Sequence, residues 1–346
     1  MLISILVNSY NYEQFVGATI RSALAQTYPN VEVIVVDDGS SDGSWKVIES
    51  FGDRITAIKQ NNGGQGSAYN AAFERARGEF VLFLDSDDTL DPDAIARCVA
   101  DIDAETSKVQ FRLRLVDRDD KPVGGSVPYL MHSGNVLPTI ERFLLYAGPP
   151  GSGNLYRRSS IADYFPLDSD TCRRGGADTV PFVLSAFSGR IVSINEALGN
   201  YRLHTQGLAA NGIFGNVAHS FREILLRERT VYDVVTHLVT QEFGADRLAL
   251  VPLPIPSNLR LRLLSWKLDR ANHVYRDDTA WNLAVLSSRV FAQWPGYRPG
   301  ERLTSMLWAF SILFMPRRLA QSLAWINSSG RSKGFLRHCF GARNNL

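Results

Sequence analysis

Cysteine is scarce in this chain. Three cysteines, Cys98, Cys172 and Cys339, lie far apart in 346 residues. Their odd number and wide spacing exclude a disulfide framework and a cysteine-based metal centre. They predict a reduced, cytoplasmic protein. Long apolar runs are missing as well. The stretch 306–315, apolar except for Ser311, has ten residues, about half the ~20 that a membrane-spanning helix needs. Residues 1–7 hold no basic side chain and lead into a polar turn at 8–13, which is not the pattern of a signal peptide. An excess of charge of one sign is also absent. The 37 basic and 35 acidic residues leave a net charge of +2, too little for a dedicated nucleic-acid binder. No nucleic-acid partner is expected. Internal repeats and low-complexity tracts are lacking too.

The charge that is present is unevenly placed. Seven basic residues (Arg302, Arg317, Arg318, Arg331, Lys333, Arg337 and Arg343) and no acidic ones fall within 302–346, so the first 301 residues carry a net −5. A basic tail on a mildly acidic body predicts an anionic partner for the tail. An anionic membrane surface suits it, because 306–315 is flanked by Arg302 and by Arg317–Arg318, with Trp308 and Trp325 placed for a headgroup boundary. The competing expectation is a core helix packed on the rest of the protein.

Apolar periodicity alternates along the first hundred residues. Short β-branched runs at 2–7, 31–36, 55–60 and 80–84 predict buried strands. Between them, 13–26, the stretch after 42 and the stretch from the glycine-rich 61–66 loop to Arg77 predict amphipathic helices, and Pro92 opens another. This β-α alternation implies a mostly parallel sheet covered on both faces. Ligands of such sheets bind beyond the carboxyl ends of the strands. Farther on, 108–117 and 122–127 predict a hairpin across Asp119–Asp120, 179–187 a helix, and 191–194 and 198–204 strands. From about residue 212 the pattern is helical, broken by prolines at 252–256 and 295–299.

Three polar clusters follow strand ends: Asn8-Ser9-Tyr10, Asp37-Asp38-Gly39-Ser40-Ser41-Asp42 and Asp85-Ser86-Asp87-Asp88. Clustered carboxylates repel one another, and a hard divalent cation such as Mg²⁺ or Mn²⁺ relieves the repulsion, using one or two carboxylates plus phosphate oxygens. An extended chain turns Asp85 and Asp87 to the same side. A carboxylate in the second cluster suits the imide N–H of a uracil or a ribose hydroxyl, and Tyr10 offers a ring on which a base can stack. The plainer reading of each cluster is a solvated turn that caps the next helix.

The stretches SILVNSYNYEQFVGATIRSALAQTYPNVEVIVVDDGSSDGS and GGQGSAYNAAFERARGEFVLFLDSDD resemble glycosyltransferase family 2, the inverting nucleotide-sugar transferases of GT-A fold. The resemblance is strong over 2–105, partial to about 207 and absent beyond. It implies that Asn8, Tyr10, Asp38, Asn70 and Asp85 bind the nucleotide, with Asp38 reading the base. It implies that Asp85 and Asp87 hold Mn²⁺ or Mg²⁺, with Asp88 as a substitute ligand and His204 of Tyr201-Arg202-Leu203-His204 as a further one. Gly175-Gly176-Ala177-Asp178 resembles the loop that presents the acceptor-activating acid, which leaves Asp178 as the catalytic base. Tyr69 stands where the family often has arginine. The processive-synthase signature QxxRW does not occur. The implied function is transfer of a sugar from a nucleotide-diphosphate sugar, a UDP-sugar, to the hydroxyl of a glycan or lipid-linked glycan in polysaccharide or glycolipid assembly. The implied layout is a GT-A catalytic domain at 1–210, its nucleotide half 1–105 and acceptor half 106–210, and a helical region at 211–346, on the inner face of a membrane. Two rivals stand beside it. Val81–Leu90 resembles the first motif of a haloacid-dehalogenase phosphatase using Asp85 and Asp87, although three strands precede it here. A family member that binds nucleotide-sugar without catalysis is the other.

Overall fold

The computed structural model describes residues 1–168, 172, 176–204, 221–244 and 252–324. Nine strands form one sheet: β1 (Ile3–Ser9), β2 (Val31–Asp37), β3 (Thr56–Lys59), β4 (Phe80–Asp85), β5 (Thr89–Leu90), β6 (Thr106–Val116), β7 (Pro122–Val127), β8 (Asn154–Arg157) and β9 (Arg190–Arg202). Their spatial order is β3-β2-β1-β4-β8-β6-β9-β5, with β7 paired to β6. The first four run parallel. Beyond β4 the sheet is mixed: β8 is antiparallel to β4 and β6, while β9 runs parallel to β6. The parallel expectation therefore describes the nucleotide half and gives way in the acceptor half. The hairpin expected across Asp119–Asp120 is β6–β7.

Helices α1 (Val16–Leu24), α2 (Ser44–Glu49), α3 (Gln65–Arg75) and α4 (Ala94–Ala100) connect the parallel strands and cover both faces. Side chains alternate along each strand. Ile3, Ile5 and Val7 join Val16, Ile20, Ile48 and Ile95 under one face. Leu6, Ile34, Val81 and Phe83 join Ala68, Tyr69 and Phe73 of α3 under the other. Helices α5 (Leu137–Phe143) and α6 (Thr179–Leu184) belong to the acceptor half.

Among the described residues five more helices follow: α7 (Phe221–Phe243), α8 (Pro256–Leu268), α9 (Ala280–Gln293), α10 (Pro299–Phe314) and α11 (Arg317–Ala324). Helices α8 to α11 share their own core, with Leu259, Leu263, Phe291, Ala309 and Ile312 buried in it. Helix α7 differs. Its Val235 and Val239 enter the core on the α3 face of the sheet, while Ile224 and Leu225 pack on Leu261 of α8, so this helix joins the catalytic body to the C-terminal helices.

The stretch 306–315 divides by face. Ala309, Ile312 and Leu313 are core, while Leu303, Leu307, Phe310 and Phe314, spaced four, three and four residues apart, form an exposed stripe along α10. The core expectation holds for one face of the segment, and the other face is exposed. Trp308 departs from its expectation. Its indole Nε1 donates to Leu323 O at 3.2 Å, and the ring packs into the helical core instead of facing out. Trp325, Arg331, Lys333, Arg337, Cys339 and Arg343 lie outside the described residues. Cys98 and Cys172 are buried free thiols. Among the described residues no helix is long and apolar enough to cross a membrane.

Candidate active site

Strand β1 lies between β2 and β4, and the register brings the three polar ends together. Asn8 is level with Val36 and Asp85, and Ser9 with Asp37. The loops beyond are laced to one another. Asn11, at φ 58°, accepts the Ser41 backbone N–H at 2.8 Å. The Tyr12 N–H donates to Ser44 Oγ at 2.9 Å, and Gly43 N–H to Glu13 Oε2 at 2.6 Å. Gly39, at φ +76°, lies so near Asn62 N that a Cβ there would approach it to 2.6 Å. The clusters thus build one rim as expected.

Asp85 ends β4, and residues 85–88 turn back, with Asp88 N–H donating to Asp85 O at 3.1 Å. The extended alternation that predicted a shared side for Asp85 and Asp87 therefore does not continue past Asp85. The turn still leaves the carboxylates close enough to repel. Burial, then the charges of Asp87 and Asp178, push the Asp85 carboxyl up to about 7, while side-chain hydrogen bonds from Asn8 and Gln65 pull the other way. Asp87 Oδ2 meets His204 Nε2 at 2.9 Å. The imidazole stands edge-on to Tyr12 and Phe15, at 5.9 and 5.3 Å between ring centres. Asp88 departs from the substitute-ligand expectation. Its oxygens accept Ser152 Oγ–H at 2.6 Å and Arg202 N–H at 3.0 Å, and burial first, then Asp87 and Asp85, holds its carboxyl well above the ordinary range.

Arg202, to which the sequence assigns no role, underpins this turn. Its buried guanidinium donates to Asp87 O, Asp117 O and Arg118 O at 2.9 to 3.1 Å, pairs with Asp120 and lies 4.8 Å over Phe15. The carbonyl beside the Asp87 carboxylate is thereby fixed. Among the described residues no three acidic, histidine or cysteine side chains close into a metal cage. Asp87 and His204 nevertheless bring one carboxylate and one imidazole together beside a second, destabilised carboxylate. That donor set fits Mn²⁺ or Mg²⁺ in an open site, where phosphate oxygens and water complete the shell.

Asp38 is buried, and its carboxylate is largely engaged. Oδ1 accepts from Gln60 Nε2 at 2.6 Å and Gly63 N–H at 2.9 Å, and Oδ2 from Gly64 N–H at 2.8 Å. A carboxylate has about four acceptor positions, so one remains open. Asp38 thus shapes the glycine loop that opens α3 while facing the rim. Asn8 Oδ1, Ser9 Oγ and Asp37 Oδ2 are buried there without a hydrogen-bond partner. Tyr10 is 47% exposed, with a ring face free for stacking. Asn70 departs from the nucleotide expectation. Its Nδ2 donates to Leu167 O at 2.9 Å and its Oδ1 accepts Leu167 N–H at 2.7 Å. Both ends of the amide are taken by the backbone of the acceptor half, and a side chain so engaged positions that loop.

Asp178 immediately precedes α6 and makes no standard capping bond to the second or third helical N–H, but its carboxyl is hydrogen-bonded by Thr179, the first residue of the helix. Burial raises its pKa, with Arg227 of α7 among the groups opposing the rise. Its charge acts on Asp85, Tyr69 and Tyr156. The loop before it passes under α7. Gly176, at φ +92°, lies so close that a Cβ would approach Val231 Cγ2 to 2.5 Å. Gly175 lies outside the described residues. Sequence reasoning missed Gln65, Ser152 and Arg202. Of these only Arg202 carried a signal, its place two residues before His204.

The sequence profile described as glycosyl transferase family 2 matches residues 4–165. An uncharacterised glycosyltransferase of Nostoc sp. is 32% identical over 317 residues, 87% of this chain and 92% of that protein. UDP-Glc:alpha-D-GlcNAc-diphosphoundecaprenol beta-1,3-glucosyltransferase WfaP of Escherichia coli is 45% identical over 89 residues, 25% of this chain and 36% of its own length. The crystal structure of Staphylococcus aureus TarS 1–349 in complex with UDP matches with a TM-score of 0.53 at 18% identity, over 94% of this chain and 90% of that one. At that identity the likeness is one of fold.

Proposed function

The chain belongs to glycosyl transferase family 2, and from that premise we propose that it transfers a sugar from a UDP-sugar to a hydroxyl of a glycan or lipid-linked glycan, inverting the anomeric centre. The observation that carries this reading is the register that sets Asn8 level with Asp85 and Ser9 level with Asp37, with the charge of Asp178 bearing on Asp85. The WfaP glucosyltransferase is named for a UDP-glucose donor and a diphosphoundecaprenol-linked acceptor, and both choices suit this rim. Tyr10 and Asp38 hold the base, Asn8 orients Asp85, and Asp178 takes the acceptor proton. Asp87 and His204, with Asp85, would hold the divalent cation, which when bound offsets charge on the leaving diphosphate. The catalytic domain is 1–210, buttressed by α7, and helices α8 to α11 form an appendage with its own core. A phosphatase using Asp85 and Asp87 is ruled out as the reading by the family, and a binding-only member is disfavoured by the pairing of Asp87 with His204 beside the buried Asp178.

Asp38→Ala is expected to weaken UDP binding by about tenfold, one charge-assisted hydrogen bond, with a cooperative thermal transition retained. Calorimetry checks it, and unchanged affinity removes Asp38 from base recognition.

The exposed face of α10 supports placement at an anionic membrane surface, where lipid-linked acceptors reside. Leu307 and Phe314 are 58% and 59% exposed, Phe310 stacks on Phe314, and exposed Arg317 and Arg318 follow. Apolar side chains entering the acyl boundary beside cations at the headgroups are the components of interfacial attachment. The protein is expected to co-sediment with phosphatidylglycerol-rich liposomes at low salt, and Leu307→Glu with Phe314→Glu to abolish this. Equal sedimentation of the double variant, or none by the parent protein, refutes the assignment.

A further inference from the structure

Two buried hydroxyls grip the acidic turn that ends β4. Thr19 Oγ1 of α1 donates to Ser86 O and Asp88 O at 2.9 and 2.8 Å. Ser152 comes from the loop 148–153, which leads into β8 beside β4. Its hydroxyl accepts Asp85 N–H at 3.1 Å and donates to Asp88 Oδ2 at 2.6 Å. One oxygen thus meets the first and the last residue of the turn, which a hydroxyl can do because it both accepts and donates. Packing fixes the loop that carries it. A Cβ on Gly148 would approach Phe182 Cε2 to 2.4 Å, and one on Gly153 would approach Pro149 Cβ to 2.6 Å, so the loop lies flush on its neighbours. Asn154 Nδ2 donates to Pro150 O and Gly151 O at 2.9 and 3.2 Å, and Asn154 Oδ1 accepts from Lys108 Nζ at 2.9 Å. That amine is itself buried 3.7 Å over the Phe182 ring.

We propose that Ser152 is a positioning residue for the metal site, tying the loop 148–153 to both ends of the acidic turn and so setting where Asp85 and Asp87 present their carboxylates. A site for Mg²⁺ or Mn²⁺ uses only one or two protein carboxylates, so each must be held in place by its surroundings. Ser152 bonds the backbone of Asp85 and the side chain of Asp88, and neither carboxylate assigned to the ion. It therefore acts through the shape of the turn and not by contact with the ion. Asp88 gains a role from the same bonds. With Oδ2 on Ser152 and Oδ1 on Arg202 N–H, it anchors the loop 148–153 and β9 to the end of β4. The loop also borders the proposed base. A Cβ on Gly151 would lie 3.6 Å from Asp178 Cβ and 3.7 Å from Asp85 Oδ2. The residue before Ser152 thus adjoins both the metal-side acid and Asp178.

The inference rests on the metal-dependent reading of the rim, and one titration separates the two. UDP binding is measured by calorimetry at Mn²⁺ concentrations from zero upward. Ser152→Ala keeps the backbone and removes both hydroxyl bonds. Its UDP affinity without Mn²⁺ is expected to equal the parent's, because Tyr10 and Asp38 lie beyond β1 and β2. The Mn²⁺ concentration that gives half the gain in UDP affinity is expected to rise about tenfold, the lower end of what losing an outer partner costs a metal site. Should Ser152→Ala not fold, Thr19→Val, similar in shape and lacking the hydroxyl, takes its place with the same expectation. Ile312→Val is the control for stability alone. It lies in the separate core of α8 to α11, and should lower the melting temperature while leaving the Mn²⁺ dependence parental. A parental Mn²⁺ dependence in the folded hydroxyl variant, or an equal loss of UDP affinity with and without Mn²⁺, overturns the positioning role. If Mn²⁺ adds nothing to UDP affinity in the parent protein, the metal reading falls first and takes the positioning role with it.

Discussion

Asp87→Asn is expected to lower turnover by about 10²- to 10³-fold, and excess chelator to bring the parent enzyme to background. The magnitude is that of removing one preorganised electrostatic contact to charge developing on a leaving group. The substitution is a narrow one. Asparagine keeps the shape and a hydrogen bond to His204, while the Arg202 contact to the backbone carbonyl of residue 87 is untouched. Only the charge goes. A role confined to holding His204 would thus survive the change, whereas a metal role would not. Raising Mn²⁺ is expected to recover part of the loss, because weakened ligation shifts the half-saturating concentration instead of destroying the site. Steady-state rates across a Mn²⁺ titration check both statements. Full turnover of the parent protein in excess chelator would remove the metal from the mechanism.

The nucleotide half was legible because its physics is local. A parallel strand buried on both faces reads as a continuous apolar run, and the polar residues that end it are neighbours in sequence. The four strands 2–7, 31–36, 55–60 and 80–84 were found within two residues of their ends, and their register delivered the rim. The acceptor half was less legible because its strands pair across long intervals. β8 is four residues long, follows a proline- and glycine-rich turn and is held by β4 and β6, which lie 69 or more and 38 or more residues earlier. Two adjacent runs, 191–194 and 198–204, proved to be the one strand β9, with register shifts against β6 where the pattern lapses. Residue type likewise announced chemistry without announcing partners. Nothing in the sequence shows that Asn70 spends its amide on Leu167, that Asp88 clamps Ser152, or that three hydrogen bonds already reach Asp38. These pairings depend on where a distant loop passes. The amphipathic stretch 306–315 could not be assigned to core or surface, because a helix with apolar residues on two faces satisfies both patterns at once.

Asp178→Asn is expected to leave UDP affinity nearly unchanged and to lower turnover by about 10²- to 10⁴-fold, the usual share of general-base catalysis. An acceptor hydroxyl is a poor nucleophile until a base takes its proton, and inversion needs that base on the face opposite the leaving diphosphate. Asp87 is engaged with His204 and Asp88 with Ser152 and Arg202, while Asp178, held by Thr179 at the start of α6, bears on Asp85 from another loop. Its environment gives the test a second readout. Burial raises the Asp178 pKa above its ordinary 3.8, so the carboxyl stays protonated, and inactive as a base, to a higher pH than an exposed aspartate. The acid limb of turnover against pH should therefore lie above the usual carboxylate range, with activity rising as pH rises through it. That limb should vanish in Asp178→Asn. Stability moves in the opposite sense. A carboxyl whose folded pKa lies above its unfolded one favours the fold when protonated, and that contribution is lost as pH climbs through the folded value. At pH 8 the asparagine variant, which has no charge to bury, should melt no lower than the parent. A catalytic loss with no loss of stability identifies a base rather than a structural carboxylate. Near-parental turnover in this variant, or a product retaining the donor's anomeric configuration, would take the role away from Asp178.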